Sequence, residues 1–143
     1  MANPDINELT RKNKNFRKVL STNEHSQVVL MSIEPGDDIG EETHDVDQIL
    51  VFVEGEGQSV LDGKRSQVKP GSMVQVPAGT RHNFINKGDA PLKLYTIYAP
   101  PEEEDGLVHK TKAEAEADEA LARVAAGEPG ERRGLERVPG AVG

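Results

Sequence analysis

The first hundred residues of this chain predict an all-β domain, an antiparallel sandwich or barrel, followed by one C-terminal α-helix and an irregular tail. Short runs of apolar or alternating residues recur at near-regular spacing, and no helical pattern separates them. Turn sequences rich in Pro and Gly stand between the runs, which is typical of strands that pair antiparallel. The predicted strands are residues 16–20, 27–33, 49–53, 58–61, 73–76, 83–85 and 92–98.

The predicted β domain spans residues 1–100. It includes a tight turn between two of the runs and the residues that precede the first run. Asp62-Gly63 separates two of the runs, and Asp-Gly is typical of a type I′ hairpin turn. The residues before the first run are expected to form an N-terminal strand or arm.

The composition changes after Pro100-Pro101. Residues 101–110 are expected to form an acidic, solvated connector. A helix is predicted over 111–126, because Thr111 and Glu114 form a capping box. Its thin apolar stripe is expected to pack lightly on the barrel or on a partner subunit, and it consists of Ala117, Ala120, Leu121 and Val124.

The last residues, 127–143, have the composition of a flexible tail. Leu135 and Val138 are the residues expected to anchor it. The helix and the tail are both expected to be dispensable for the function of the β domain.

Length and charge restrict the function. At 143 residues, 35% of them hydrophobic, the chain predicts one domain with a modest core. The net charge of −8 argues against nucleic acids and anionic membranes as partners, since both attract basic surfaces. The chain has no cysteine, no apolar run typical of a signal peptide and no window of about 20 apolar residues. A cytoplasmic protein is therefore expected.

Two of the four histidines stand in unusual surroundings. His44 follows Glu42 in a stretch, residues 34–56, that carries nine carboxylates and no Lys or Arg. Glu42, His44 and Gln48 share parity, so on an extended segment their side chains point to the same side. Polar groups that face inward beside an apolar run are costly unless something satisfies them, and a bound cation would do so. His25 and His109 are expected to be surface or structural residues.

A second motif follows at residues 71–86. Gly71, Pro77, Gly79, His82 and Asn86 match the pattern G-x5-P-x-G-x2-H-x3-N at every fixed position. This is the second motif of the cupins, which the chain therefore resembles over roughly residues 15–100. The first cupin motif ends H-x-H-x3-4-E-x6-G, and here it reads Glu42-x-His44-x3-Gln48-x6-Gly55.

The resemblance is to small single-domain bacterial cupins, in the RmlC-like superfamily. It implies a double-stranded β-helix, the jelly-roll barrel, over residues 1–100. It also implies one divalent metal ion per chain, held by Glu42, His44, Gln48 and His82. The helix 111–126 and the tail are expected to be dispensable for binding this metal. Glu42 stands where most cupins have the first His, and Gln48 where they have Glu. Cupins with Gln at that position resemble metal-bound uronate-processing enzymes.

Two alternatives to this ligand set remain. The altered first motif could have lost its metal and left a hydrogen-bonded polar cavity. Glu41, Asp45 or Asp47 could also compete with Glu42 as the carboxylate ligand. Because imidazole binds metal when neutral, affinity is expected to fall as pH drops through ~6.5.

Such a ligand set suits Fe(II), Mn(II), Ni(II) or Zn(II), and six-coordination leaves two positions for a small-molecule ligand. Asp47 and Glu42 are the candidate catalytic groups. Parity predicts that Leu50, Phe52 and Phe84 face a substrate pocket, although ordinary barrel core is an equal alternative for each residue. Weaker candidates for the pocket are Met31, Tyr95 (or its neighbour Thr96) and the nearby cation Arg81.

Three classes of function are compatible with the site. A metal-dependent oxygenase is favoured by the set of two His and one carboxylate. A non-redox isomerase or lyase would use the metal as a Lewis acid. A non-catalytic metal or small-molecule binding protein is the third, since fold alone does not determine function. The acidic mouth favours a neutral or weakly acidic small molecule. The strand at 49–53 is apolar on both faces, and this pattern together with the resemblance predicts a homodimer.

Overall fold

The computed structural model describes residues 2–127, and most of the predicted tail, including Leu135 and Val138, lies outside the described residues. The described chain is mostly antiparallel β structure, as predicted, with a helix at each end. Neither helix combines the length and the hydropathy that crossing a bilayer requires. The elements in chain order are α1 Ile6–Lys12, β1 Arg17–Thr22, β2 Gln27–Ile33, β3 Asp47–Glu54, β4 Gly57–Leu61, β5 Lys64–Val68, β6 Met73–Val76, β7 His82–Asn86, β8 Leu92–Ala99, β9 Val108–His109 and α2 Lys112–Ala125.

The strands form the two facing sheets of a jelly-roll barrel. The larger sheet has the order β6-β3-β8-β2-β1-β9, and the smaller has the order β5-β4-β7. Gln48 of the first motif lies on β3 of the larger sheet, and His82 of the second motif lies on β7 of the smaller sheet. The Asp62-Gly63 turn joins β4 to β5 with positive φ at both residues, 49° and 84°, as a type I′ turn requires.

The interior of the large sheet changes from polar to apolar along the strands. At one end, Gln48, Tyr98 and Gln27 are direct cross-strand neighbours on β3, β8 and β2. All three side chains are buried. The next inward rows are formed by Leu50, Thr96 and Val29, and then by Phe52, Leu94 and Met31. The barrel therefore has an apolar floor and one polar end.

The sequence did not predict two of the strands, β5 and β9, or the helix α1. β5 is an edge strand whose first four residues are exposed, so its sequence KRSQV carries no apolar signal. β9 has two residues, which is too short for a periodicity. The N-terminal arm is the helix α1, capped by the Asp5 side chain, which accepts a hydrogen bond from the amide of Glu8. It packs against β3 and β8, the outer face of the large sheet.

The C-terminal helix lies where the sequence predicts it, but it presents a different face to the barrel. Its capping box forms, with Thr111 accepting from the Glu114 amide and Glu114 accepting from the Lys110 amide. The predicted apolar stripe does not pack on the barrel: Leu121 and Val124 are 67% and 60% exposed, and Ala117 and Ala120 are exposed too. Its packing on a partner subunit stays a prediction. The buried residues of the helix are Ala115 and Glu119.

Candidate metal centre

Glu42 and His82 are held side by side by a single β-bridge. The amide of each residue donates to the carbonyl oxygen of the other, at 2.9 Å in both directions. Residues that exchange both backbone hydrogen bonds place their side chains on the same face. The bridge joins the segment before β3 to the start of β7, so it brings the two motifs together.

His44 lies two residues after Glu42, on the same buried side of the chain. Burial alternates along residues 41–48, as predicted, so Glu42, His44 and Gln48 are buried and Glu41, Asp45 and Asp47 are exposed. The His44 carbonyl oxygen accepts a hydrogen bond of 2.8 Å from the Gly79 amide. Gly79 has a φ of +87°, which glycine adopts without the strain that a side chain would add.

Three donor side chains converge in this region. One ligand atom from each of Glu42, His44 and His82 lies within 4.8 Å of the others, and all three residues are buried. Glu42 Oε1 lies 3.2 Å from His44 Nε2. Metal bonds of about 2.1 Å set at right angles separate two donors by about 3 Å, so this spacing suits two ligands of one cation.

The environment of His82 prepares its Nε2 atom to bind a metal. Nδ1 lies 2.9 Å from the carbonyl oxygen of Thr80, which can only accept, so Nδ1 carries the proton and donates. Nε2 is then left with its lone pair. Burial lowers the pKa of His82, and the positive charge of His44 acts in the same direction. The neutral imidazole is the form that metals bind.

His44 lies between two carboxylates. Its Nε2 faces Glu42 Oε1 at 3.2 Å, and its Nδ1 faces Glu102 Oε2 at 3.1 Å. Burial opposes the charge on His44, but the hydrogen bonds to Glu102 and Glu42 outweigh it and raise the pKa of the imidazole to about 10. In the metal-free protein His44 is therefore an imidazolium near neutral pH. A metal that binds Nε2 displaces this proton, so the affinity should keep rising above pH 6.5, the value that the sequence alone suggests for His.

This arrangement predicts that the metal-free protein loses stability as pH rises from about 6.5 towards 10. The unfolded chain releases the His44 proton near pH 6.5, whereas the folded chain retains it to about pH 10. The stabilisation is fully present below the lower value. Between the two values it declines by up to about 1.4 kcal/mol per pH unit. Urea unfolding of chelator-treated protein at several pH values measures the slope, with His44→Asn as the comparison. Equal slopes for both proteins would contradict the prediction.

Gln48, the fourth predicted ligand, lies on the same buried side of β3. Its Nε2 donates to Thr96 Oγ1 at 3.1 Å, and that hydroxyl donates to the Ile49 carbonyl oxygen at 3.0 Å. These bonds fix the orientation of the amide. Gln48 Oε1 is buried and has no hydrogen-bond partner among the residues that the structure describes. An orphaned buried acceptor is costly, and a cation would satisfy it. Gln48 also shares its inward row with Tyr98, whose ring contacts the His44 ring edge-on at 5.7 Å.

The residues predicted to face a pocket divide into two groups. Leu50, Phe52, Phe84 and Met31 are all buried members of the hydrophobic core. Tyr95 is half-buried and alternates with the inward residues Leu94 and Thr96, so it faces the outside of the sheet. Thr96 is the residue that lies inside, fully buried, where it orients Gln48.

Two further candidates lie at the surface. Asp47 is exposed, and its Oδ1 accepts from the Ala78 amide at 3.0 Å, which holds the turn before His82 rather than placing the carboxylate beside the buried donors. The Arg81 side chain is 63% exposed and pairs with Glu41 at 3.0 Å. The Arg81 side chain therefore does not face the barrel interior, where the sequence placed it as a pocket candidate. Asn86, the last residue of the second motif, is structural, because its amide donates to two carbonyl oxygens at 2.9 Å.

Sequence reasoning missed three charged residues near the site: Arg17, Glu102 and Glu103. The side chains of all three are at most 6% exposed. The prediction of a solvated connector is thus wrong for the first two glutamates. Burial raises the pKa of Glu103, while Arg17 acts against this shift. An acidic run behind two prolines is typical of a solvated loop, and the sequence carries no signal of its distant partner Arg17.

Comparisons with known proteins agree with this geometry. A family model described as "Cupin domain" matches residues 29–98. The uncharacterized protein YrkC of Bacillus subtilis is 49% identical over 80% of this chain, and the chain spans 66% of its length, just under two thirds. The crystal structure of BH2720 from Bacillus halodurans has a TM-score of 0.79 and 43% identity, covering 80% of this chain and 92% of that one. A Cupin 2 conserved barrel domain protein from Salinispora arenicola has a TM-score of 0.55 and 25% identity, covering 62% and 82%.

Proposed function

The chain belongs to the cupin domain family, and on this basis we propose that it binds one divalent metal ion through Glu42, His44, His82 and Gln48. The observation that carries the proposal is the convergence of three buried donors within 4.8 Å. The Oε1 of Gln48 supports it, because this fourth donor lies on the same inward side and has no hydrogen-bond partner among the described residues. Elemental analysis of the native protein tests it, with about one metal ion per chain expected.

The donor set suits Fe(II), Mn(II), Ni(II) or Zn(II). Bound there, such an ion supplies a Lewis acid or, as Fe(II), a redox centre. Neighbouring groups hold the proposed ligands: the Thr80 carbonyl oxygen and the Glu102 carboxylate fix the two imidazole rings, and the Thr96 hydroxyl fixes Gln48. Four protein ligands leave two positions of an octahedron for a small molecule.

The charges around the site favour a neutral or weakly acidic ligand. Glu42, Glu102, Glu103 and Glu119 all contribute buried carboxylates. The buried cations among them are Arg17 and, in the metal-free protein, the His44 imidazolium. A metal ion offsets part of this negative charge. The remaining carboxylates would still repel a multiply charged anion.

The activity best supported is that of a metal-dependent oxygenase. Two His and one carboxylate are the ligands of non-haem Fe(II) oxygenases. The protein loaded with Fe(II) is expected to consume oxygen in the presence of its substrate. Oxygen uptake with a library of small metal-chelating compounds measures this, and protein loaded with Zn(II) is the control.

A non-redox isomerase or lyase is the second candidate, favoured by Glu103. Burial raises the pKa of this carboxyl, against the effect of Arg17, so it is a candidate for a group that holds or releases a proton. Turnover of carbonyl compounds without oxygen would support this activity. Tight binding of a ligand without turnover would support a non-catalytic binding protein.

We also propose that the protein is a homodimer that pairs through the outer face of the large sheet. Ile49, Val51 and Val53 alternate with the core residues of β3 and are half-buried. Met73 pairs with Val51 on the edge strand and is 60% exposed. Sedimentation is expected to show a dimer that Met73→Lys weakens and that Val108→Lys, on the opposite edge strand of the same sheet, leaves intact. A monomeric wild type at micromolar concentration would contradict the proposal.

A further inference from the structure

We propose that residues 101–125, which follow the strands of the two cupin motifs, are part of the metal site. In this proposal Glu102 is a positioning residue for His44, and Arg17 fixes the segment to the barrel. The inference rests on the proposed metal site. It reverses the expectation that the C-terminal helix is dispensable for metal binding.

The contact between Glu102 and His44 carries the first step. Glu102 Oε2 lies 3.1 Å from His44 Nδ1, and the side chains are 6% and 3% exposed. The N–H group at Nδ1 donates a hydrogen bond to the Glu102 carboxylate, and the Nε2 atom of the same ring then faces Glu42. Ligating histidines generally donate their other N–H to a carboxylate or a carbonyl oxygen, which fixes the ring and makes it a better donor. Glu102 does for His44 what the Thr80 carbonyl oxygen does for His82.

The backbone of the segment is tied directly to the polar end of the barrel. Gln27 Oε1 accepts hydrogen bonds from the amides of Glu102 and Glu103, at 3.1 and 2.9 Å. Gln27 Nε2 donates to the Glu103 carbonyl oxygen at 2.8 Å. Gln27 is 1% exposed and is the cross-strand neighbour of Tyr98, whose ring contacts His44. The position of Glu102 is therefore set by the barrel wall beside the site.

Arg17 connects the same segment to α2. Its guanidinium lies 3.7 Å from Glu103 Oε2 and 3.8 Å from Glu119 Oε2. It also lies 3.5 Å from His109 Nδ1. Arg17 is 2% exposed, and a buried charge that loses its partners is strongly destabilising. The strand β1, the connector and the helix are consequently held as one unit, with Glu102 at its inner end.

The test compares full-length point variants. Glu102→Ala should weaken Mn(II) binding by about ten- to hundredfold, which is the usual effect of losing the outer partner of a ligating His. Glu104→Ala, at an exposed position two residues away, is the matched control and should leave binding unchanged. The visible absorption of the Co(II)-loaded protein should change in Glu102→Ala, since it reports ligand geometry.

Glu102→Gln keeps the size of the side chain and an oxygen that can accept a hydrogen bond from His44 Nδ1. This variant therefore separates an effect on the metal site from an effect on folding. It should restore the Co(II) spectrum and recover part of the affinity. The inference would be overturned if Glu102→Ala and Glu102→Gln bound Mn(II) as tightly as Glu104→Ala and had unchanged Co(II) spectra. The proposed metal site would be unaffected by that result. A wild type that binds neither Mn(II) nor Co(II) would overturn both.

Discussion

Replacing His44 and His82 together by Ala is expected to abolish metal binding. The two imidazoles supply both nitrogen donors of the cluster, and their rings lie 5.2 Å apart. What remains is a carboxylate and an amide oxygen, a weak set for a transition metal in competition with water. Elemental analysis should find about one metal ion per chain in the wild type and none above background in the double variant.

The control for this experiment is His25→Ala, because the His25 side chain is 87% exposed and distant in sequence from both motifs. Removing His44 also leaves Glu42 and Glu102 buried without the cation between them, which costs stability. The single variant His82→Gln avoids this cost and should still weaken binding by more than about tenfold. A metal content equal in all four proteins would place the cation elsewhere in the chain.

The burial of the candidate ligands was predictable from the sequence because its signal is local. Alternation along residues 41–48 specifies which side chains turn inward, and the structure buries Glu42, His44 and Gln48 as that pattern requires. His82 follows from the fixed spacing of the second motif. Its place opposite Glu42 depends on a single bridge between distant segments, which only the resemblance to cupins implied.

The outer partners were not predictable because their signal is tertiary. Glu102 contacts His44 across 58 positions of the chain, and in isolation an acidic run has the composition of a solvated loop. Which face of α2 packs against the barrel was not predictable for the same reason. Hydrophobic periodicity favoured Leu121 and Val124, whereas the ion pair with Arg17 draws Glu119 inward instead. Buried charges that attract one another across the fold leave no periodic pattern in the sequence.

Replacing Glu42 by Gln is expected to lower metal affinity by at least about tenfold, or about 1.4 kcal/mol. Glu42 supplies the formal negative charge within the proposed ligand set and lies 3.2 Å from the nearest imidazole nitrogen. Glutamine preserves the shape of the side chain and removes that charge. In a buried site the charge is poorly screened, so its loss should exceed that of a surface carboxylate. Titration of wild type and variant with Mn(II) or Zn(II) measures the difference.

Two further variants separate a ligand from a neighbouring acid. Glu41→Gln removes the same charge one residue away, where the side chain is 61% exposed and paired with Arg81, and affinity should stay within a factor of about three. Glu42→His should retain the metal, because it restores the residue that most cupins have at this position, while the preferred metal changes. Equal affinities for Glu42→Gln and Glu41→Gln would remove Glu42 from the ligand set. The site would then lack the carboxylate on which the proposed oxygenase chemistry depends.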